Sequence, residues 1–312
     1  MDVVLMLLGF VLLVVGGDFL VRASVALSLK FNISKMVIGL TVVSFATSLP
    51  ELLVSLNAAL NGSPSIAINN VVGSNVANIG LVLGITALIG AIRVNKTFYK
   101  FNWPVLMLFS LLLYYFLSND NQLTALEGAF LFIALILFVI IVLRTSNLKK
   151  KDDSTDALSL VSSFKITSWL LIGGTSLYFG SDWLVKGAVV IAKEIGVSEA
   201  VISVSIIAFG TSIPELAASV MAVVRNEKSI SLGNLIGSNI FNIGSVLGLT
   251  AIIKPIVVDD PLIVSRDLIW MLIFAVILLP LSLILKRNQF RKTEGFTLVF
   301  IYGIFIYNVF MS

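Results

Sequence analysis

Two short stretches, Thr47-Ser48-Leu49-Pro50-Glu51 and Thr211-Ser212-Ile213-Pro214-Glu215, are the most informative part of the sequence, because each places a carboxylate inside a long apolar segment. An ionisable side chain at membrane depth is costly, so its presence indicates a functional site. The proline before each Glu removes a backbone donor and frees a carbonyl one turn back. Carboxylate, hydroxyl and carbonyl oxygens are the ligands that Na⁺ and Ca²⁺ prefer. Two matching copies favour a cation site over the simpler interpretation, a kinked packing helix with a protonated Glu.

The composition predicts an all-α integral membrane protein. Of its 312 residues, 58% are hydrophobic and 12% are charged, whereas soluble domains carry about 25% charged residues. The apolar runs are long and unbroken, which is typical of membrane helices and not of a barrel. The first run, near 3–27, has no basic region before it and no distinct cleavage site. We therefore expect a first membrane helix there and not a removed signal peptide.

The residue types that are missing exclude several classes of chemistry. The sequence contains no cysteine and no histidine, so thiol catalysis, disulfides, thiolate metal sites and Ser-His machinery are excluded. The net charge of +4 needs no nucleic-acid partner, because membrane proteins concentrate Lys and Arg in cytoplasmic loops. No nucleotide-binding loop is recognisable. We expect no cofactor, no nucleotide and no nucleic acid as partners, and we expect no enzymatic activity.

The apolar runs predict ten transmembrane helices. They lie near 3–27, with an interruption at Gly16-Gly17-Asp18, and near 34–60, 65–92, 101–117, 123–143, 165–195, 198–224, 229–253, 264–285 and 296–310. The polar stretch at 145–164, which contains Lys149-Lys150-Lys151-Asp152-Asp153, predicts a solvated linker. It separates a first five-helix repeat, 1–144, from a second, 165–312.

The two halves repeat in a constant register of 164 positions. The offset relates Glu51 to Glu215 and Gly73-Ser74-Asn75 to Gly237-Ser238-Asn239. It also relates Asp18 to Asp182, Ser34 to Ser198, Asn78 to Asn242 and Gly80 to Gly244. Because five helices is an odd number, the second unit enters the membrane from the opposite side. This predicts two inverted repeats, the plan of many transporters, with a site at the midplane between broken helices.

The distribution of basic residues supports this topology. With the linker placed in the cytoplasm, only four of the 21 basic residues fall on the outer side, namely Lys186, Lys193, Lys254 and Arg266. The other seventeen fall on the inner side, as the positive-inside rule requires. We therefore expect a multi-pass protein of the cell membrane with both termini outside and the linker in the cytoplasm.

Four helices carry the candidate ligands. Ser74 and Asn78 are four positions apart and share one helical face, as do Ser238 and Asn242. The candidate metal ligands are Thr47, Ser48, Glu51, Ser74, Asn78, Thr211, Ser212, Glu215, Ser238 and Asn242. Converging faces would form an oxygen cage whose two carboxylates balance one Ca²⁺ or two Na⁺. The simpler role of a lone Ser or Asn is helix–helix hydrogen bonding, but the matched faces in both halves favour ligands.

Two further Asn and two Asp residues fit other roles. Asn75 and Asn239 point off the Ser–Asn face, so we expect them to cap or to bond backbone. Asp18 precedes Arg22 by four positions, and Asp182 precedes Lys186 by four. Each spacing predicts an ion pair near a helix break and not a cation ligand.

The signatures resemble the two alpha repeats of the cation/Ca²⁺ exchanger superfamily, most nearly the prokaryotic sodium/calcium exchangers, over nearly the whole chain. The family pattern is Gly-Thr-Ser-X-Pro-Glu, then Gly-Ser-Asn-X-X-Asn/Asp-Ile-Gly. Residues 210–215 fit the first part fully, and residues 46–51 fit it except for Ala46 in place of Gly. The resemblance implies ten helices, alternating access and ligands at the Thr, Ser, Glu, Ser and Asn positions of both repeats. It also implies ligating carbonyls near Ser44 and Ala208, and a gate formed by the first and sixth helices.

The resemblance leaves the coupling ion open. Some relatives, including potassium-dependent exchangers, carry Asp where Asn242 stands, so Asn at both 78 and 242 argues against K⁺ co-transport. The leading hypothesis is an antiporter that exchanges Ca²⁺ for Na⁺ as a monomer in membrane lipid. H⁺/Ca²⁺ exchange is the alternative, because two buried carboxyl groups can carry protons without histidine. A Ca²⁺ channel is disfavoured, because channels usually need a symmetric multimeric pore. An intramembrane enzyme is disfavoured as well, because no nucleophile–base pair is present.

Overall fold

The computed structural model describes residues 2–146, 157–194, 210–258, 260–283 and 288–311. They are almost entirely helical. The principal helices are α1 (Asp2–Phe31), α2 (Lys35–Thr47), α3 (Leu49–Leu60), α4 (Pro64–Ile89), α5 (Phe98–Asp120), α6 (Ala125–Thr145), α7 (Ser163–Glu194), α8 (Ile213–Val224), α9 (Lys228–Ile253), α10 (Ile263–Leu283) and α11 (Lys292–Met311). A short 3₁₀ turn, Ala157–Leu160, precedes α7.

The described helices confirm an integral membrane protein. Seven of them (α1, α4, α5, α6, α9, α10 and α11) are long and apolar enough to cross a bilayer, and the bent pair α2–α3 brings the number to eight. The count of ten stays a prediction. Part of the seventh predicted helix, together with Ser198 and Ala208, lies in 195–209, outside the described residues. Most of the predicted linker, 147–156, lies outside them as well.

The predicted interruption of the first helix is wrong. Helix α1 runs without a break through Gly16-Gly17-Asp18. These glycines instead allow close packing: a Cβ on Gly16 would lie 2.9 Å from the carbonyl oxygen of Gly173 in α7, and one on Gly17 would lie 3.0 Å from that of Ala217 in α8. Small residues serve this purpose between membrane helices, where backbones approach closely.

The second predicted helix is divided at Ser48, where α2 and α3 meet at an angle of 42°. Ser48 has φ −86° and ψ 1°, which departs from helical geometry and ends α2. Pro50 then lies in the first turn of α3, where its missing N–H costs no hydrogen bond. Pro214 has the same place in α8, after Ser212 with φ −87° and ψ 0°.

Helices α4 and α9 form the centre of the molecule. Their most apolar stretches are 72% and 83% buried, against 22–33% for the other five long apolar helices. Each contains one π-helical turn at a corresponding position, Asn78–Leu83 in α4 and Asn242–Leu247 in α9. Such turns interrupt the regular hydrogen-bond ladder and are frequent at functional sites.

Four two-residue strands connect the halves. Strand β1 (Ile92–Arg93) pairs antiparallel with β4 (Gln289–Phe290). Strand β2 (Gln122–Leu123) pairs antiparallel with β3 (Ile256–Val257). In both sheets one strand comes from each half, so the loops of the two halves are joined to each other.

Candidate cation site

The two helix breaks place the two carboxylates in the same way. Glu51 lies in the first turn of α3, and Glu215 lies in the first turn of α8. The Ser before each α-helix has nearly the same backbone angles in both halves. Both Glu side chains are completely buried. The local sequence Ser-X-Pro-Glu therefore turns each carboxylate inward at the start of a helix.

Hydroxyl groups connect each signature to the central helix of the other half. The Thr47 Oγ1 atom lies 3.2 Å from the Ser238 Oγ atom. The Thr211 Oγ1 atom lies 3.0 Å from the Ser74 Oγ atom. The two contacts are equivalent under the 164-residue offset. The structure thus brings four of the six predicted hydroxyl residues together in two pairs, whereas the Ser48 and Ser212 hydroxyls make no hydrogen bond to a described residue.

Amide groups make a second set of crossed contacts. Asn78 donates through Nδ2 to the Asn239 Oδ1 atom at 3.1 Å. Asn242 donates in the same way to the Asn75 Oδ1 atom at 3.1 Å. Asn75 and Asn239 also donate to each other's backbone carbonyls, at 3.2 and 3.1 Å. Their predicted bonding to backbone is confirmed, and their side-chain oxygens bind Asn242 and Asn78 as well.

The site concentrates buried oxygen atoms that have no hydrogen-bond partner among the described residues. They are both carboxyl oxygens of Glu51 and of Glu215, the hydroxyl oxygens of Ser48 and Ser212, and the amide oxygens of Asn78 and Asn242. Elsewhere such atoms are isolated, as at Ser110, Ser231 and Thr250. A buried acceptor without a donor is costly. The eight oxygens are matched between the halves, and they form a donor set of the kind that binds a hard cation.

The electrostatics lead to the same interpretation. Glu51 and Glu215 are both completely buried, and each follows a Thr whose hydroxyl contacts the central helix of the other half. None of the described ion pairs includes either Glu. Buried charge of one sign needs a counter-charge. The unpaired buried oxygens belong to carboxyl, hydroxyl and amide groups, which are hard donors and suit a hard cation.

The remaining predictions have mixed outcomes. The ion pairs Asp18–Arg22 and Asp182–Lys186 are confirmed, each at 2.8 Å. The Ser44 carbonyl oxygen accepts a hydrogen bond from the Ser48 N–H at 2.9 Å, so its role as a ligand stays a prediction. The carbonyl near Ala208 lies outside the described part of the chain.

Sequence reasoning missed two supporting amides. Asn234 accepts a hydrogen bond from the Thr47 hydroxyl at 3.2 Å and donates to Ser219 at 3.1 Å. Asn70 donates to the Glu51 carbonyl oxygen at 3.2 Å and to Ser55 at 3.0 Å. The repeat contained the signal, because 70 and 234, like 55 and 219, differ by the same 164 positions.

Comparison with known proteins identifies the family. The family model described as "Sodium/calcium exchanger protein" matches residues 1–144 and 165–311. The chain is 38% identical to the putative antiporter CaxA of Alkalimonas amylolytica over 99% of this chain and 98% of the relative. It is 29% identical to the sodium/calcium exchanger MaX1 of Methanosarcina acetivorans over 97% and 96%.

A solved structure agrees over the same length. The sodium-calcium exchanger NCX_Mj, soaked with zero Na⁺ and Ca²⁺, superposes with a TM-score of 0.83 at 31% identity. The match covers 97% of each chain. Members of this family are membrane-spanning antiporters. The chain belongs to the sodium/calcium exchanger family.

Proposed function

We propose that this protein exchanges Ca²⁺ for Na⁺ at one site that contains Glu51 and Glu215. The observation that carries the proposal is the group of eight buried, unpaired oxygen atoms contributed equally by the two halves. The relatives named as a sodium/calcium exchanger and an antiporter support the same ions and the same mode of transport. The ligands are Thr47, Ser48, Glu51, Ser74, Asn78, Thr211, Ser212, Glu215, Ser238 and Asn242.

The donor set suits both ions. Ca²⁺ takes six to eight oxygen ligands at about 2.3–2.6 Å, and carboxylates, hydroxyls and amide carbonyls are all hard donors. Two carboxylates balance the charge of one Ca²⁺ or of two Na⁺. Because both ions need the same two charges, they compete for the site. Exchange follows from this competition without any long-range signal.

Alternating access supplies the movement in the proposed mechanism. Crossed contacts related by the 164-residue offset support two inverted repeats of five helices each. Helices α1 and α7 slide over the core and open the site to one side at a time. A site with two uncompensated carboxylates crosses the membrane poorly when empty, which suppresses leak.

The proposal includes the topology. The termini lie outside, the linker at 145–164 lies in the cytoplasm of a cell-membrane protein, and the transported ions are the only small partners. The monomer is sufficient, because both carboxylates belong to one chain. No cofactor takes part.

Flux of ⁴⁵Ca²⁺ into proteoliposomes tests the function. We expect uptake into Na⁺-loaded vesicles that falls as external Na⁺ rises, and that falls as the pH drops because protons compete for the carboxylates. Three Na⁺ for each Ca²⁺, as the resemblance implies, would make uptake respond to an imposed membrane potential. Uptake that needs no Na⁺ on either side and follows a pH gradient would establish H⁺/Ca²⁺ exchange instead. Uptake that needs no counter-ion gradient at all would indicate a channel.

A further inference from the structure

The orientation of the Asn75 amide is fixed by the backbone of the opposite half. Its Nδ2 atom lies 3.2 Å from the backbone oxygen of Asn239. A carbonyl oxygen only accepts hydrogen bonds, so the NH₂ group of Asn75 has to face it. The Oδ1 atom of Asn75 is then directed towards Asn242. Asn239 is fixed in the same way by the backbone oxygen of Asn75, at 3.1 Å.

The fixed amides of Asn75 and Asn239 in turn orient the amides of the candidate ligands Asn242 and Asn78. The Oδ1 atom of Asn75 accepts a hydrogen bond from Nδ2 of Asn242 at 3.1 Å, and Oδ1 of Asn239 accepts one from Nδ2 of Asn78 at 3.1 Å. Each ligand amide therefore uses its donor group on the partner helix. Its oxygen is left buried and without a partner among the described residues.

We propose that Asn75 and Asn239 are positioning residues that hold the Asn242 and Asn78 amides with their oxygens towards the cation. The inference rests on the cation site proposed above. A reversed amide would present two N–H donors to the cation, which replaces an attractive ligand by a repulsive group. Groups that orient metal ligands typically change metal affinity about 10- to 100-fold when they are removed.

We call the contacts that run from the backbone through Asn75 or Asn239 to a ligand amide the amide relay. Double-mutant cycles on the full-length protein test this relay. We expect Asn75→Ala to weaken Ca²⁺ binding about 10- to 100-fold, as measured by calorimetry in detergent. In an Asn242→Ala background the same change should have little further effect, because the amide that it orients is gone. In an Asn78→Ala background the full effect should persist. Asn239→Ala should give the crossed result, coupling to Asn78 and not to Asn242.

The crossed pattern separates positioning from folding. Asn75 and Asn78 lie three positions apart on one helix, so a purely local loss of structure would couple these two. The melting temperature in chelator reports the structural cost, and Asn75→Ser replaces Asn75→Ala if the latter is not monodisperse. Equal effects in both backgrounds would overturn the relay. Wild-type protein that binds no Ca²⁺ would overturn the proposed function itself.

Discussion

The two halves of the chain agree at the proposed cation site and differ at helices α1 and α7, the proposed gate. Asp18 of α1 binds Arg22 and also Arg225, which caps α8. Asp182, its counterpart in α7, binds only Lys186 among the described ion pairs. The counterpart of Arg225 is Asn61, which caps α3 and donates to its own neighbour Asn57.

The helix packing of the two halves is asymmetric in the same way as their ion pairs. Helix α1 packs on α8, whereas α7 and α3 make almost no contact. As a result, Ile213 of α8 is 6% exposed, while its counterpart Leu49 of α3 is 38% exposed. With inverted repeats, exchanging the roles of the halves converts one access state into the other. Under the proposed alternating access, the asymmetric packing belongs to one access state, and we expect the Arg225–Asp18 ion pair to favour that state.

The largest effect that we expect comes from either carboxylate. Glu51→Gln and Glu215→Gln should each abolish Ca²⁺ exchange in proteoliposomes, because each removes half of the formal negative charge of the site. The two variants should lose exchange to the same extent, since each half contributes the same ligands to the proposed site. Folding should persist, as measured by size-exclusion profile and yield, because neither carboxylate takes part in a described ion pair and Gln has nearly the same shape as Glu.

Strong exchange by either of these variants would reject the shared site. Retention by only one of them would show that the two halves differ at the cation as well as at the gate. Ser110→Ala is the matched control, because Ser110 is another buried hydroxyl without a described partner and belongs to α5. It should leave exchange at the wild-type level.

The second-largest effect on Ca²⁺ exchange is expected from the Ser48 and Ser212 hydroxyls, which have no hydrogen-bond partner among the described residues. Ser48→Ala and Ser212→Ala each remove one neutral oxygen from the site and no charge. We expect each to raise the KM for Ca²⁺ about tenfold, the equivalent of roughly 1.4 kcal/mol in a range typical of a lost hydrogen-bonding group. Initial rates of ⁴⁵Ca²⁺ uptake measure this. A tenfold difference between the two variants would contradict an evenly shared site.

The centre of the molecule was more predictable from sequence than the gate. The signatures repeat at a fixed offset, so Glu51 and Glu215 could be paired from the order of residues alone. The continuity of α1 could not be predicted, because Gly16-Gly17 serves equally for a break and for close packing. The Asp18–Arg225 ion pair could not be predicted from the sequence either. It joins residues more than 200 positions apart, and only Asp18 of the two has a charged counterpart at the 164-residue offset.

A smaller effect is expected at Arg225. Arg225→Asn gives α8 the residue that caps α3, and it should move the balance of access states away from α1–α8 packing. A partly exposed ion pair contributes up to about 1 kcal/mol, so the shift should be fivefold at most. The chain has no cysteine, so spin labels at Leu8→Cys and Val224→Cys can report distances between α1 and α8. Asp182→Asn is the control and should leave this distance distribution unchanged.

The smallest and most specific effect is expected at Asn61. In the opposite access state, α7 should pack on α3 as α1 now packs on α8. Asn61→Arg would then give Asp182 a second partner beside Lys186, as Arg225 does for Asp18, and raise the population of that state. Because Asp182 is more exposed than Asp18, 37% against 19%, we expect only a two- to threefold rise, within the range of about 1 kcal/mol for such pairs. When Asn61→Arg is combined with Arg225→Asn, the two shifts should add. The distance distribution between the spin labels on α1 and α8 should then move further than with either substitution alone. If Asn61→Arg has no effect in the wild-type and in the Arg225→Asn background, α7 does not reach α3 in the second state. The two-fold relation between the access states would then be wrong.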